Sequence, residues 1–496
     1  MPWDPTVPRC LELPTRPQPE MGRVLVTGAS GYVGGRLIPE LLARGYRLRL
    51  MVRGHGEVHH ARWPEAEVVE ADTLDRESLR RALTGVHAAY YLVHSLQLGR
   101  KAFERAEIAS AENFRDIAAE CGVRRILYLG GLGDTERSRS RHLRSRAAVG
   151  RMLRSGSVPV TSLRAAVIMG SGSASYEILR HLVSRVRVIP LPRLAYHVCQ
   201  PISIRDVIKY LVGALENPDT AGRMFDIGGV DILCYREMLR VFAEVAGRRI
   251  LLVRTGLPYI RPIAYFVGLI TPVPAQITSC LLEGLKDDSV CRNVDIRRYV
   301  PFEPVPYREA IRRALTREEM DQVPTRWSDA YPPGHELARR LHEIDERIRF
   351  TGTWTSTSAK PAAALFASVC RIGGRTGWFN NNWLWRARGL LDRLLMGPGS
   401  ARGRRSDTTL AVNDVIDFWR VEDYQPDRRL LLRAEMVLPG QAWLEFEVED
   451  EGERRRLSTT AYFHTSSLLG KVYWYAFLPF HHVIFDDLLA QIEKRS

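Results

Sequence analysis

Between residues 23 and 131 the chain alternates two rhythms. Short apolar runs of strand length, Val24-Leu-Val-Thr27, Tyr46-Arg-Leu-Arg-Leu-Met-Val-Arg53, Glu67-Val-Val-Glu-Ala-Asp72, His87 to His94 and Arg125-Ile-Leu-Tyr-Leu-Gly130, are separated by stretches with helical spacing at 36–44, 75–84 and 101–121. Strands that alternate with helices predict an α/β domain built on a parallel, doubly wound sheet, with its ligand across the carboxyl ends of the strands. From about 326 the pattern changes. Trp327-Ser-Asp-Ala-Tyr-Pro-Pro-Gly334 reads as a lead-in, and 326–348 as a linker. The alternating run Arg349-Phe-Thr-Gly-Thr-Trp-Thr-Ser356 then precedes two helical segments, 361–371 and 383–395. Strand-like runs at 414–421, 429–437, 442–448 and 456–463 are spaced by hairpin-length turns, and an amphipathic stretch from 467 to 493 closes the chain. That order predicts a separate α+β domain over 349–496.

The first strand runs directly into Thr27-Gly28-Ala-Ser30-Gly31-Tyr32-Val33-Gly34, followed by the helical run Arg36 to Arg44. Strand, glycine-spaced turn and helix form a pyrophosphate cradle. Gly28 permits the tight turn, Gly31 lets backbone approach the phosphates, and Gly34 lets the helix pack against the strand. Amide groups at the helix start face the anion. Arg53 ends the second strand, where a site selective for NAD places an acid on the ribose hydroxyls. A cation there suits a 2′-phosphate, so NADP is expected over NAD, with a solvated strand-end arginine as the bland alternative.

Composition narrows the partners. The 71 Lys and Arg against 57 Asp and Glu leave a net charge of +14, but the cations are nearly all Arg and are spread along the chain. No zinc-finger spacing or RNA-binding aromatic signature accompanies them, so nucleic acid is excluded as the expected partner. An acidic ligand or an anionic membrane surface stays compatible. Seven cysteines without a C-x-x-C pair fit reduced thiols and a cytoplasmic setting. Residues 1–20 are proline-rich without an apolar core and read as a disordered leader. The longest apolar segment, Pro262 to Thr271 and Pro272, is too short to span a membrane. His464, His481 and His482 have no third ligand at metal spacing, and no metal is expected.

Thr27 to Gly34, Ala71-Asp72-Thr73 and Pro201-Ile-Ser-Ile-Arg-Asp206-Val together resemble an atypical or extended short-chain dehydrogenase/reductase of the NmrA-like, NAD(P)H-binding branch. The resemblance implies a Rossmann-type domain over 21–325. It places Asp72 and Thr73 near the adenine and His94 near the nicotinamide. Arg223 to Gly229 and Tyr235 to Gly247 resemble the substrate-side segment of such proteins, which implies a small lobe over about 165–325. The second half is similar to helix-grip domains of the START/polyketide-cyclase-like superfamily, and its 373–405 stretch to a domain of unknown function fused behind NAD(P)-binding modules.

Dehydrogenases of this superfamily use a Tyr-x-x-x-Lys pair, in which a phenol moves the proton and the lysine holds the phenolate. The chain lacks it. At that place stand His142 and Arg146, four residues apart on one helix face. Histidine shuttles a proton near neutrality and arginine can contact ribose or phosphate, which makes them a candidate substitute pair, with decoration of an Arg-rich helix as the alternative. Tyr176, after the flexible Gly170-Ser-Gly-Ser-Ala-Ser175, is a second candidate proton donor, and Tyr128 is expected in the core. Two functions follow. One is an NAD(P)H-dependent oxidoreductase for an apolar carbonyl, enone or quinone-like substrate, the other a non-catalytic dinucleotide sensor. Tyr473, Trp474, Phe477, Phe480 and His481 share helical spacing, which suits either a core or the lining of a small apolar ligand. Peripheral membrane contact through that helix and 262–272 is a third, weaker reading.

Overall fold

The computed structural model describes residues 10–54, 56–93, 101–133, 138–256, 260–319, 323, 325–330, 341, 349–374, 376–395, 397–402, 404 and 410–496. They divide into two compact units, with the boundary after Ala330 and the short segment Thr271–Pro274 grouped with the second.

The first unit is built on β1 (Arg23–Thr27), α1 (Gly34–Ala43), β2 (Leu48–Val52), α2 (Gly56–Arg62), β3 (Glu67–Glu70), α3 (Arg76–Leu83), β4 (Val86–Tyr91), α4 (Lys101–Glu120), β5 (Arg125–Gly131), α5 (Arg141–Arg154) and β6 (Val160–Ala165). These strands and the edge strand Met224–Ile227 form one parallel sheet, ordered 224–227, β6, β5, β4, β1, β2, β3. Because β1 has β2 on one side and β4 on the other, the chain leaves it in opposite directions and a crevice opens at their carboxyl ends. Strand alternation feeds both faces. Val24, Val26, Ala88 and Tyr90 enter one core, while Leu25, Ala89 and Tyr91 enter the other.

The lobe adds α6 (Ala174–Arg185), α7 (Ile204–Glu216) and α8 (Tyr235–Val245), with the helices Ile260–Ile270, Ala275–Glu283 and Tyr307–Glu319. Its own core joins Tyr176, Leu179, Met238, Phe242 and Ile311. Ser173 caps α6 by accepting from the Tyr176 N–H at 3.2 Å.

Two expectations change. The expected disordered leader covers residues 1–20, of which 1–9 lie outside the described residues. From Cys10 the chain is packed: Cys10 is buried, its N–H donates to Glu40 at 2.8 Å, and its carbonyl accepts from Arg44. Arg44 in turn pairs with Glu216 at 2.5 Å in a site closed to solvent, which Thr15 also joins. A buried carboxylate and guanidinium need every available partner, and the leader supplies several. The linker is also shorter than expected. Trp327–Ala330 forms a turn of 3-10 helix on the first unit, where the Trp327 N–H donates to the Gly172 carbonyl at 2.8 Å and its ring is buried. The remaining linker residues, apart from Arg326 and Leu341, lie outside the described set.

The second unit is α+β. Its antiparallel sheet runs Arg349–Ser358, Arg454–His464, Gln441–Glu451, Arg429–Ala434, Trp419–Gln425, Val415–Ile416, with helices Ala362–Val369 and Asn382–Leu394 inserted after the first strand. The helix Leu468–Arg495 lays Trp474 and Phe485 against Phe350, Phe463 and Trp354. Its aromatic residues therefore split between two faces: Trp474 is buried, Tyr473, Phe477 and His481 are partly buried, and Phe480 is exposed.

Candidate dinucleotide and substrate site

The glycine turn is geometrically committed. Gly28 has φ +64, and a Cβ there would stand 2.8 Å from the Leu92 carbonyl oxygen, so the ends of β1 and β4 approach too closely for another residue. At Gly34 a Cβ would meet the Gly28 carbonyl oxygen at 2.2 Å, which is the close helix-to-strand contact the motif predicts. Thr27 is a tie within the fold. Its hydroxyl donates to the Tyr90 carbonyl at 2.9 Å and accepts from the Leu92 N–H at 3.0 Å, locking the two strand ends that flank the crevice.

A cavity of about 320 Å³ opens beside this turn. Gly28, Gly31, Tyr32, Val33, Gly34 and Leu92 form its floor, and His142, Leu143 and Arg146 of α5 form one wall. The lobe closes it with apolar groups, among them Val167, Ile168, Val198, Leu281, Leu285 and Trp327. The turn closes on itself, the Gly31 N–H donating to the Gly28 carbonyl and the Gly35 N–H to the Gly31 carbonyl, each at 3.0 Å, and an open cavity beside a positive-φ glycine at a helix start is the cradle a dinucleotide pyrophosphate requires. The residues present fit that group. Ser30 lies in the same turn, partly buried.

His142 and Arg146, spaced one helical turn apart, reach the same cavity. Their chemistry is not that of a phenol and an ammonium. Burial, then the charge of Arg146, lowers the His142 imidazole to about 4, so it is neutral at neutral pH. Arg146 donates to the Leu129 carbonyl and lies over the Tyr128 ring at 4.9 Å, while the Tyr128 hydroxyl donates to the Arg146 carbonyl at 3.1 Å. Tyr128 is buried, as expected.

Tyr176 is not a cavity residue. The Ser173 cap starts α6 three residues earlier, and the first turn directs Tyr176 into the lobe core, fully buried with its ring 5.6 Å from Phe242. The candidate proton donor is corrected to a core residue. Asp72 and Thr73 follow β3 and also lie outside the cavity lining. Asp72 accepts from the Leu74 N–H at 2.9 Å, and the Thr73 hydroxyl meets Ser110 at 3.0 Å. Arg53 is exposed immediately after β2. His94 falls outside the described residues.

Two cavity groups escaped the sequence reading. His197 Nδ1 lies 2.9 Å from Asp288 Oδ1, and Asp288 also accepts from the Val198 N–H at 3.0 Å. The hydrogen bond to His197 holds the Asp288 carboxyl below its ordinary range. Tyr235, at the start of α8, has its phenol raised well above the ordinary range by burial and by Cys199. His197 sits four residues before the Pro201 motif and Tyr235 opens a segment already singled out. Proximity was the only signal.

Fold and site define a dinucleotide-binding domain of the Rossmann type with an added helical lobe. The model of the NmrA-like family matches residues 20–274, more than half of the chain, and the chain belongs to that family. Its domain is NAD(P)-binding and of the short-chain dehydrogenase/reductase type. Residues 345–488 match a protein family of unknown function, DUF2867. Cinnamoyl-CoA reductase 1 of Oryza sativa subsp. japonica is 24% identical over 265 residues, 45% of this chain and 76% of that protein. Sterol demethylase protein B of Methylococcus capsulatus is 30% identical over 112 residues, 22% of this chain and only 34% of its own length. A solved structure of Citrobacter sp. triphenylmethane reductase complexed with NADP(H) is 18% identical, covering 59% of this chain and 99% of that chain at a TM-score of 0.49.

Proposed function

We propose that the first unit is an NADPH-dependent reductase of an apolar carbonyl, enone or quinone-like substrate. One observation carries this reading: the glycine turn and a cavity closed by apolar lobe residues are continuous, so a flat apolar molecule can stack beside the bound cofactor. The bound dinucleotide supplies hydride chemistry. Arg53 suits the 2′-phosphate of NADP, and Asp72 stands at the adenine end. The apolar wall excludes water from the reacting centre. His142, neutral, offers a hydrogen bond to a substrate oxygen and no imidazolium proton. His197 lines the cavity with its Nδ1 2.9 Å from Asp288 Oδ1, and its ring is a candidate proton donor to the substrate oxygen.

The test is oxidation of NADPH by the full chain against a panel of quinones and enones, with cofactor binding followed separately by nicotinamide fluorescence. Turnover of at least one member is expected. Binding of NADPH with no oxidation anywhere in the panel overturns the catalytic reading. A second reading, a cofactor sensor, is favoured by the lowered imidazole of His142 where a catalytic phenol is usual. It requires reduced and oxidised cofactor to differ in affinity or in the conformation they produce, and equality removes its basis.

A further inference from the structure

The cavity of the first unit is small for a site that must hold two molecules. Its volume of about 320 Å³ lies at the lower end of the range of about 300–1,000 Å³ usual for ligand sites, and the nicotinamide ring of a bound dinucleotide takes part of it. One wall of what remains is Trp327, which lines the cavity together with Ile168, Leu281 and Leu285 and is only 6% exposed. The indole is the largest side chain in that lining, so it has most to say about the size of the space.

Its backbone is pinned from two directions. On the side of the glycine turn, Thr325 donates to the Tyr32 carbonyl at 3.0 Å, while the Arg36 guanidinium donates to the Thr325 hydroxyl at 2.9 Å and to its carbonyl at 3.1 Å. On the side of the lobe, the Trp327 N–H donates to the Gly172 carbonyl at 2.8 Å. Gly172 has φ +78, and a Cβ there would stand 2.6 Å from the Thr325 carbonyl oxygen, so the two backbones are in direct contact. The Arg326 N–H closes the turn on Asp329 at 2.7 Å. A buried ring on a backbone held at both ends has little room to give, and extra volume beside it forces unfavourable rotamers or backbone shifts. Trp327 also lies beyond residues 20–274, the stretch that places the chain in its family.

We propose that Trp327 is a specificity-determining residue of this site, limiting the substrate to a planar carbonyl compound of one or two rings that packs against the indole. The proposal rests on the reading of the cavity as a substrate site. Ring against ring gains the offset or edge geometry that aromatic pairs prefer, and a third ring meets a wall that does not retreat.

The test is equilibrium dialysis of the full chain, saturated with NADP+, against 1-tetralone, which has two rings, and 9-fluorenone, which has three. Both are uncharged monoketones, and fluorenone is the more apolar, so general hydrophobic binding would favour it. The natural chain should bind tetralone at least tenfold more tightly than fluorenone. Trp327→Leu should reverse the order, and Trp327→Phe, which keeps a ring, should keep the order with a smaller ratio. Far-UV circular dichroism and a cooperative unfolding transition report that the variants fold. Three results overturn the proposal: fluorenone bound by the natural chain as tightly as tetralone, the same order and ratio in Trp327→Leu, or neither ketone bound. Oxidation of NADPH by the two ketones is followed in parallel. Binding with the expected order and no oxidation of NADPH by any carbonyl compound ends the reductase reading and leaves the wall assigned. Turnover of a linear enone with neither ketone bound does the reverse.

Discussion

Asp206 offers a quantitative test of the first unit's interior. It lies in the first turn of α7, fully buried, with Oδ2 accepting from the Val305 N–H at 2.9 Å and no partner on Oδ1 among the described residues. Burial raises its carboxyl from 3.8 to about 6, against the opposing pull of that hydrogen bond and of Lys209, Arg313 and Arg205. The shift corresponds to about 3 kcal/mol. The sign follows from which state holds the proton more tightly. The folded chain does, so stability from this group is complete below pH 3.8, declines as pH rises, and is about 3 kcal/mol lower above pH 7. Asp206→Asn removes the titration and keeps an acceptor for Val305. The buried amide of the variant carries a fixed cost, but that cost is the same at every pH. Its stability relative to the natural chain should therefore climb by about 2 kcal/mol between pH 4.5 and 7.5. For a unit of roughly 330 residues this is a change of about 3 °C in the difference between the two melting temperatures. Scanning calorimetry across that range reads it, with the transition of the first unit identified as the one that NADPH raises. A melting difference independent of pH, or one that grows toward acid, refutes the reasoning.

Three further outcomes are expected. Arg53→Asp should weaken NADPH binding about tenfold or more while sparing NADH, because a charge-assisted contact to the 2′-phosphate is replaced by repulsion, and nicotinamide fluorescence titrations decide it. His142, neutral above about pH 4, should contribute no step to NADPH affinity between pH 5.5 and 8; a step near pH 6.5 that vanishes in His142→Gln would contradict its environment. Glu435 is buried between Arg402 at 2.7 Å and Arg420 at 2.5 Å, which with Arg433 hold its carboxyl below the ordinary range despite burial. Glu435→Gln should cost the second unit about 3–5 kcal/mol in urea unfolding at neutral pH. The natural chain should lose that stabilisation only as acid protonates Glu435.

Local patterns were legible where the physics is local. Alternating strands and helices set the parallel sheet, and the glycine turn marked the dinucleotide end because strand, turn and helix are contiguous in the chain. The shared face of His142 and Arg146 was readable from a spacing of four, and both reach the cavity. Tyr176 was misread because a flexible-looking run of serines and glycines conceals a helix cap, and one hydrogen bond from Ser173 decides which way the tyrosine turns. The pairing of His197 with Asp288 was not readable, since 91 residues separate them and only the fold brings them together. Arg44 and Glu216 show the same limit, because nothing near Cys10 announces that the leader completes their buried pair.

The segment around Thr325 packs directly behind the glycine turn. Its hydroxyl donates to the Tyr32 carbonyl at 3.0 Å and accepts from Arg36 at 2.9 Å, its methyl would lie 2.7 Å from a Cβ on Gly35, and Trp327 lines the cavity two residues on. A gene fusion that exchanged the second domain by cutting ahead of Thr325 would thus remove the backing of the cofactor turn along with the part it meant to replace. In this chain the seam for exchanging the second domain lies beyond Ala330, and a fragment ended ahead of Thr325 should bind nucleotide poorly even though every residue of the glycine fingerprint is intact.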